Sequence, residues 1–214
     1  MSQRPEVPLL RLNADLGTFL REVVDTTLEH RSTTPDPVVK EYVLGLLEDC
    51  AHKESAVRDA VNRPLALLLH DALQAGPADR FDRLRRAGDG ILLMGGMYRE
   101  HLRSAGLQDR YVVAVGQRAY RAASSLLVLP GKAHVIGSEK MPDILAELAT
   151  GFQEVMALLR DVADTLVAHA TRSASDLARL CELWLRERSA HVARLLRARG
   201  VMLDLRALGA GPLQ

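Results

Sequence analysis

Aromatic side chains make up only 4% of the 214 residues, and lysine is rare beside abundant arginine. So few rings leave too little stacking surface for a groove that binds single-stranded nucleic acid. The formal net charge is +1, which gives no general pull toward nucleic acid or anionic lipid. No apolar run approaches the roughly 18 residues needed to span a bilayer, so no membrane segment is expected. Met1-Ser-Gln-Arg-Pro-Glu has no basic region leading into an apolar stretch, which argues against a signal peptide. The two cysteines, Cys50 and Cys181, lie far apart, each in an amphipathic helical pattern. They read as buried free thiols in a reducing cytosol rather than as a disulfide. A cytoplasmic protein follows from these lacks.

What is present favours helices. Hydrophobic residues make up 48% of the chain, enough for a sizeable core without metal or disulfide support. Alanine, leucine and arginine dominate, all good helix formers. After a short arm over 1–12, a stripe of Leu16, Phe19, Leu20, Val23, Val24 and Thr27 predicts a helix starting near Asn13. Thr34-Pro35-Asp36-Pro37 supplies a cap and first turn for a helix burying Val39, Tyr42, Val43, Leu46, Leu47 and Cys50. The polar stretch His52 to Asp59 leads to Asn62-Arg63-Pro64, which starts an apolar helix from Leu65 to Leu73, ended by Gly76-Pro77.

A long helix is predicted over 78–104, closed by Gly106, and another over 108–127. Val128 to Lys140, with Pro130-Gly131 and Gly137-Ser138, is the clearest loop. Leu145, Leu148, Phe152, Val155, Leu159, Val162 and Leu166 then alternate spacings of three and four along a helix over 142–170. Burial of this face in the protein's own core is expected before use as a coiled-coil seam. A final helix, capped by Ser173 or Ser175 and stopped at Gly200, carries Leu177, Leu180, Cys181, Trp184, Val192 and Leu195. The expected fold is all-α: one domain over 1–214, a bundle of about seven helices. Its last two helices form an antiparallel hairpin, and 201–214 is a loosely held tail.

Signatures of catalysis are missing. The seven histidines include no i, i+4 pair and no Glu-x-x-His, so no metal site is expected. There is no Gly-x-Ser-x-Gly elbow, and Gly88-x-Gly90 lacks the Lys-Ser/Thr and the preceding strand of phosphate-binding loops. Neither cysteine sits in an activating motif, and no cofactor is implied. Arg80, Arg83, Arg85 and Arg86 crowd one helix start, alternating with Asp79 and Asp82. Arg186, Arg188, Arg194, Arg197 and Arg199 crowd the last helix. Such faces are ordinarily solvated and salt-bridged. Arg186, Arg194 and Arg197 are the candidates for docking an acidic protein partner or the acidic N-terminal region of a second copy. Without a helix-turn-helix register, nucleic acid is not the expected partner.

The segment Ala87 to Met97 is the exception to ordinary helix composition, with Gly88, Gly90, Gly95 and Gly96 around the single acid Asp89. Each glycine inside a helix costs about 1 kcal/mol relative to alanine. Three explanations stand: close approach of another helix, a break with Asp89 as a cap, or a ligand cleft. Close packing is preferred. A cleft would be built from Asp89, Gly95, Gly96, Tyr98 and His101 with one of Tyr111 or Tyr120, of which Tyr111 is taken as the candidate. Asp89, if buried, needs a hydrogen-bonding or cationic partner.

Gly88-Asp89 with Leu92, Gly95 and Leu102, then Asp109-Arg110-Tyr111, Gly116 and Ala119-Tyr120, resembles a group of uncharacterised bacterial all-helical proteins. The stretch Leu180 to Leu185 with Trp184, then Leu195 and Gly200, is similar to the end of the same group. That resemblance implies a helical fold and no particular activity. A weaker one is to the heme oxygenase-like helical fold, with its glycine-rich helix over the ligand. The proximal histidine that fold requires has no counterpart here, since His30 sits at a helix end. The function expected is a non-catalytic interaction or regulatory protein, self-association as a homodimer included. The alternative is a small-molecule binder or enzyme with its pocket at 87–97.

Overall fold

The computed structural model describes residues 9–51, 63–127 and 141–203, and every regular element among them is an α-helix. In chain order these are α1 (Leu9–Leu28), α2 (Pro37–Cys50), α3 (Leu65–Gln74), α4 (Arg80–Met97) and α5 (Arg99–Ser104). They continue as α6 (Asp109–Leu127), α7 (Met141–Thr150), α8 (Phe152–Ala170), α9 (Ala174–Glu187) and α10 (Ala190–Ala198). The stretch 52–59, the loop 128–140 and the tail beyond 203 lie outside the described residues, as do the first eight of the expected arm. α1 starts at Leu9, four residues ahead of Asn13.

Among the described residues ten helices stand where about seven are expected, because three expected ones are broken. Just past the Gly95-Gly96 pair, Tyr98 turns to φ −119°, ψ 36°, ending α4 and starting α5. Gly151 bends the next long helix, although Gly151 N–H still donates to Glu147 O and Val155 N–H to Gly151 O. Arg188 takes the left-handed conformation at φ 53°, after which the Ser189 side chain caps α10. Other punctuation falls where expected. Asp36 accepts from Val38 N–H at 2.8 Å with Pro37 in the first turn, and Ser173 with Asp176 forms a capping box on α9. Gly106 and Gly200 stand at φ +72° and +79°, the left-handed values that favour glycine after a helix end.

By contact the chain separates into two compact units, 1–160 and 161–214, with the border inside α8. The first unit is organised around α4. Every residue from Ala87 to Gly96 is buried, all round the helix, which marks it as a central element rather than an amphipathic surface one. Ile91, Leu92 and Leu93 are each no more than 2% exposed, worth about 1.5–3 kcal/mol apiece by burial. α3, α6 and the first turns of α8 pack around it, and α7 lies on α6. α1 and α2 pack together, and Val23, Val24, Val39 and Val43 on them are buried. On their outer side Arg21 meets Glu41 at 2.5 Å and Lys40 pairs with Asp25. The heptad-like stripe is indeed spent on the protein's own interior, with Leu145, Leu148, Phe152 and Leu159 fully buried.

The second unit has its own small core of Ala168, Leu180, Trp184, Val192, Ala193 and Leu196. Arg199 donates to the carbonyls of Ala168 and Thr171. The end of α10 therefore lies beside the end of α8, whereas a hairpin of two unbroken helices would carry it to the opposite end.

Candidate functional site

Gly88, Gly95 and Gly96 of α4 are spent on contact. A Cβ at Gly88 would lie 2.6 Å from Tyr120 Cε1, one at Gly95 would strike Met156 and one at Gly96 the Cβ of Leu159. On α6, a Cβ at Gly116 would fall on the ring of Phe152. Close helix packing, the preferred reading of the segment, is therefore what these glycines permit. The cleft that Gly95 and Gly96 would wall has no room: Met156, Leu159 and Val112 fill it.

Asp89 is 2% exposed in the middle of α4, so it does not cap a break. Its Oδ1 accepts from the Tyr42 hydroxyl at 2.6 Å and the Tyr120 hydroxyl at 2.8 Å, and Oδ2 accepts from Arg85 Nη1 at 3.0 Å. Arg85 is four residues earlier on the same helix, while Tyr42 comes from α2 and Tyr120 from α6. The carboxylate thus ties three helices with short, charge-assisted bonds. Burial pushes its pKa above the ordinary value, against the lowering effect of Tyr42, Arg85 and Tyr120. Burial first, and then the Asp89 charge, hold the Tyr42 and Tyr120 phenols well above theirs. Chemically this is a closed hydrogen-bond knot. Each carboxylate oxygen is occupied by a donor of the protein, and the group is screened from any substrate.

Of the remaining candidates, Tyr98 and Tyr111 are 42% and 37% exposed, and His101 is exposed on α5. None of the three reaches Asp89. Tyr98 lies instead against Cys50, Oη to Sγ 3.9 Å, and burial pushes that thiol up. Tyr120, not Tyr111, joins the carboxylate. Tyr111 lies off the buried stripe of α6, which runs Val112, Val115, Gly116, Ala119, Tyr120 and Ala123.

Two further polar knots escaped the sequence reading. Arg160 on α8 donates through Nε to Gly95 O at 2.8 Å and through both terminal nitrogens to Asp109 at 2.7 and 2.8 Å. It satisfies a carbonyl that the end of α4 leaves without a helical partner. In the second unit the buried His191 holds Thr165 Oγ1 at 2.8 Å through Nε2. Arg194 donates to its Nδ1 at 3.2 Å. A guanidinium can only donate, so Nδ1 accepts and Nε2 carries the proton.

That contact corrects the assignment of Arg194 to a partner surface, since the side chain is half-buried and bound inward. Arg186 and Arg197 remain exposed, and Arg186 meets its neighbour Glu187 at 3.8 Å. Among the described residues no three His, Cys, Asp or Glu side chains gather to hold a metal ion, and no helix is long and apolar enough to cross a membrane. Compared with known protein families, curated proteins and solved structures, the chain matches none.

Proposed function

We propose that this chain is a non-catalytic interaction or regulatory protein of a bacterial cytoplasm, working through outward helical faces on a protein partner. The observation that carries the reading is the closure of its most site-like cluster: Asp89 is buried and its oxygens are taken up by Tyr42, Tyr120 and Arg85. Both cysteines are free thiols, which suits a reducing compartment. The outward groups favour protein contact. On α9, Leu185 is 48% exposed beside Arg186, and the Arg188 guanidinium lies 5.2 Å from the Trp184 ring centre. An apolar anchor flanked by arginine suits an acidic partner with an apolar centre.

The test is photo-crosslinking in the native host from a reactive residue placed at Leu185, with a second placed at Glu29 as a control. A discrete product from Leu185 alone, lost when Arg186 and Arg197 are reversed to glutamate, is the expected result. A product of twice the chain mass identifies the partner as a second copy. Equal labelling from both positions, or a product indifferent to the charge reversal, overturns the proposal.

A further inference from the structure

Four arginines crowd the start of α4, and the polar knots above use only some of them. Arg80 donates through Nε to Ala75 O at 3.0 Å, and Arg85 is held by Asp89. Arg83 and Arg86 make no ion pair with any described residue, Asp79 and Asp82 of their own helix included. They are one turn apart on one helix face, and both line a cleft between α3 and α4. Its other walls are Arg63, Leu68, Asp71, Ala72 and Ala87, and it encloses about 270 Å³. Arg63 pairs with Asp71 across its rim.

Among the described residues that line it, three arginines stand with one carboxylate, a surplus of two positive charges beside the apolar Leu68, Ala72 and Ala87. Guanidiniums in such an array match the oxygens of a phosphate in fork geometry. A phosphate monoester carries between about one and a half and two negative charges near neutrality, which balances this surplus where a carboxylate would leave half of it. The volume is at the small end for ligand pockets. We propose that the α3–α4 cleft binds a compact phosphate monoester, with Arg83 and Arg86 on the phosphate and the organic group on Leu68, Ala72 and Ala87. This goes beyond the partner-binding reading and involves none of the α9 or α10 residues on which that reading rests.

The experiment is calorimetric titration of the full chain with phenyl phosphate, with benzoate and phenol as comparisons. Saturable one-to-one binding of phenyl phosphate is expected, tighter than benzoate, with none for phenol. R83S and R86S should each weaken it about tenfold, the loss of one charge-assisted contact. Both side chains are exposed, so the fold survives, as circular dichroism will check. D71N should act oppositely and tighten binding, since it removes the opposing charge among the described lining residues and frees Arg63. No saturable binding, benzoate binding as tight as phenyl phosphate, or D71N weakening binding as R83S does would each overturn the proposal. So would wild-type affinity in both arginine variants.

Discussion

Gly88→Ala and Gly45→Ala are the same chemical change in two helix interiors, and the packing of α4 predicts opposite signs for them. Gly45 lies on the exposed side of α2, where an added Cβ meets nothing within 4 Å. Alanine there should stabilise by about 0.5–1 kcal/mol, the ordinary advantage over glycine. At Gly88 the new methyl lands 2.6 Å from Tyr120 Cε1, against 3.4 Å for ordinary contact. The ring must retreat from α4, yet its hydroxyl is bound to Asp89 on α4 at 2.8 Å and the ring packs on Phe152, centroids 5.9 Å apart.

Overpacking costs about 1–3 kcal/mol, and a bond to a charged group is worth about 1.5–3 kcal/mol. Partial loss of that bond outweighs the propensity gain, so a net destabilisation of about 1–3 kcal/mol is expected. Urea denaturation followed by circular dichroism measures both variants, with Trp184 fluorescence following the second unit separately. Tyr120→Phe supplies the internal check. With the hydroxyl already gone, Gly88→Ala should cost less, and the double-mutant cycle should show that coupling. If Gly88→Ala were as stabilising as Gly45→Ala, or additive with Tyr120→Phe, the account of this contact would be wrong.

The remaining predictions concern the other polar knots and their ionisation. Because burial holds Asp89 above its ordinary 3.8, the folded state keeps this proton more tightly than the unfolded chain does. Its contribution is therefore full below pH 3.8 and declines as pH rises through the folded value. The stability difference between wild type and Asp89→Asn should shrink with rising pH in that window; a difference that grows would refute the assignment. In alkaline titration followed by phenolate absorbance, Tyr42 and Tyr120 should stay protonated until the helices melt. Four phenols ionising while the helical signal is intact would contradict their burial against Asp89. Arg160→Met leaves Gly95 O without its donor and should cost roughly 1–3 kcal/mol. Asp109→Asn breaks only the exposed pair and should cost under about 1 kcal/mol. Equal losses in denaturation would show that the carbonyl contact contributes nothing.

How far the sequence could be read depends on the range over which each cause acts. Caps and stops are local: Asp36-Pro37, Ser173, Gly106 and Gly200 announce themselves within a turn. The stripe from Leu145 to Leu159 could be assigned to the core because its period is set by one helix. The glycines of α4 favour a close crossing because small residues on one helix stripe let a neighbour approach the backbone, while a break and a ligand cleft remain compatible with the same local pattern. Their partners Tyr120, Met156 and Leu159 are settled by tertiary packing, which no local pattern encodes. A buried Asp89 needs a partner on chemical grounds alone, but Tyr42 and Tyr120 come from 47 and 31 residues away. Two signals were nonetheless present. Arg85 stands one turn before Asp89, and Tyr120 shares the small-residue stripe of Gly116, Ala119 and Ala123 while Tyr111 does not. The breaks at Tyr98 and Arg188 had no local signal strong enough to outweigh the helical periodicity on either side.

The glycine contacts also constrain how such a chain can change over time. Gly88 meets Tyr120, Gly95 meets Met156, Gly96 meets Leu159 and Gly116 meets Phe152, so each pair behaves as one lock with two halves. A larger residue in one half is tolerable only if the other half shrinks, and a change on one side alone is selected against. Diverged copies of this sequence should therefore exchange these residues pairwise, and the four pairs form a fingerprint by which such copies can be told from unrelated helical proteins of similar composition.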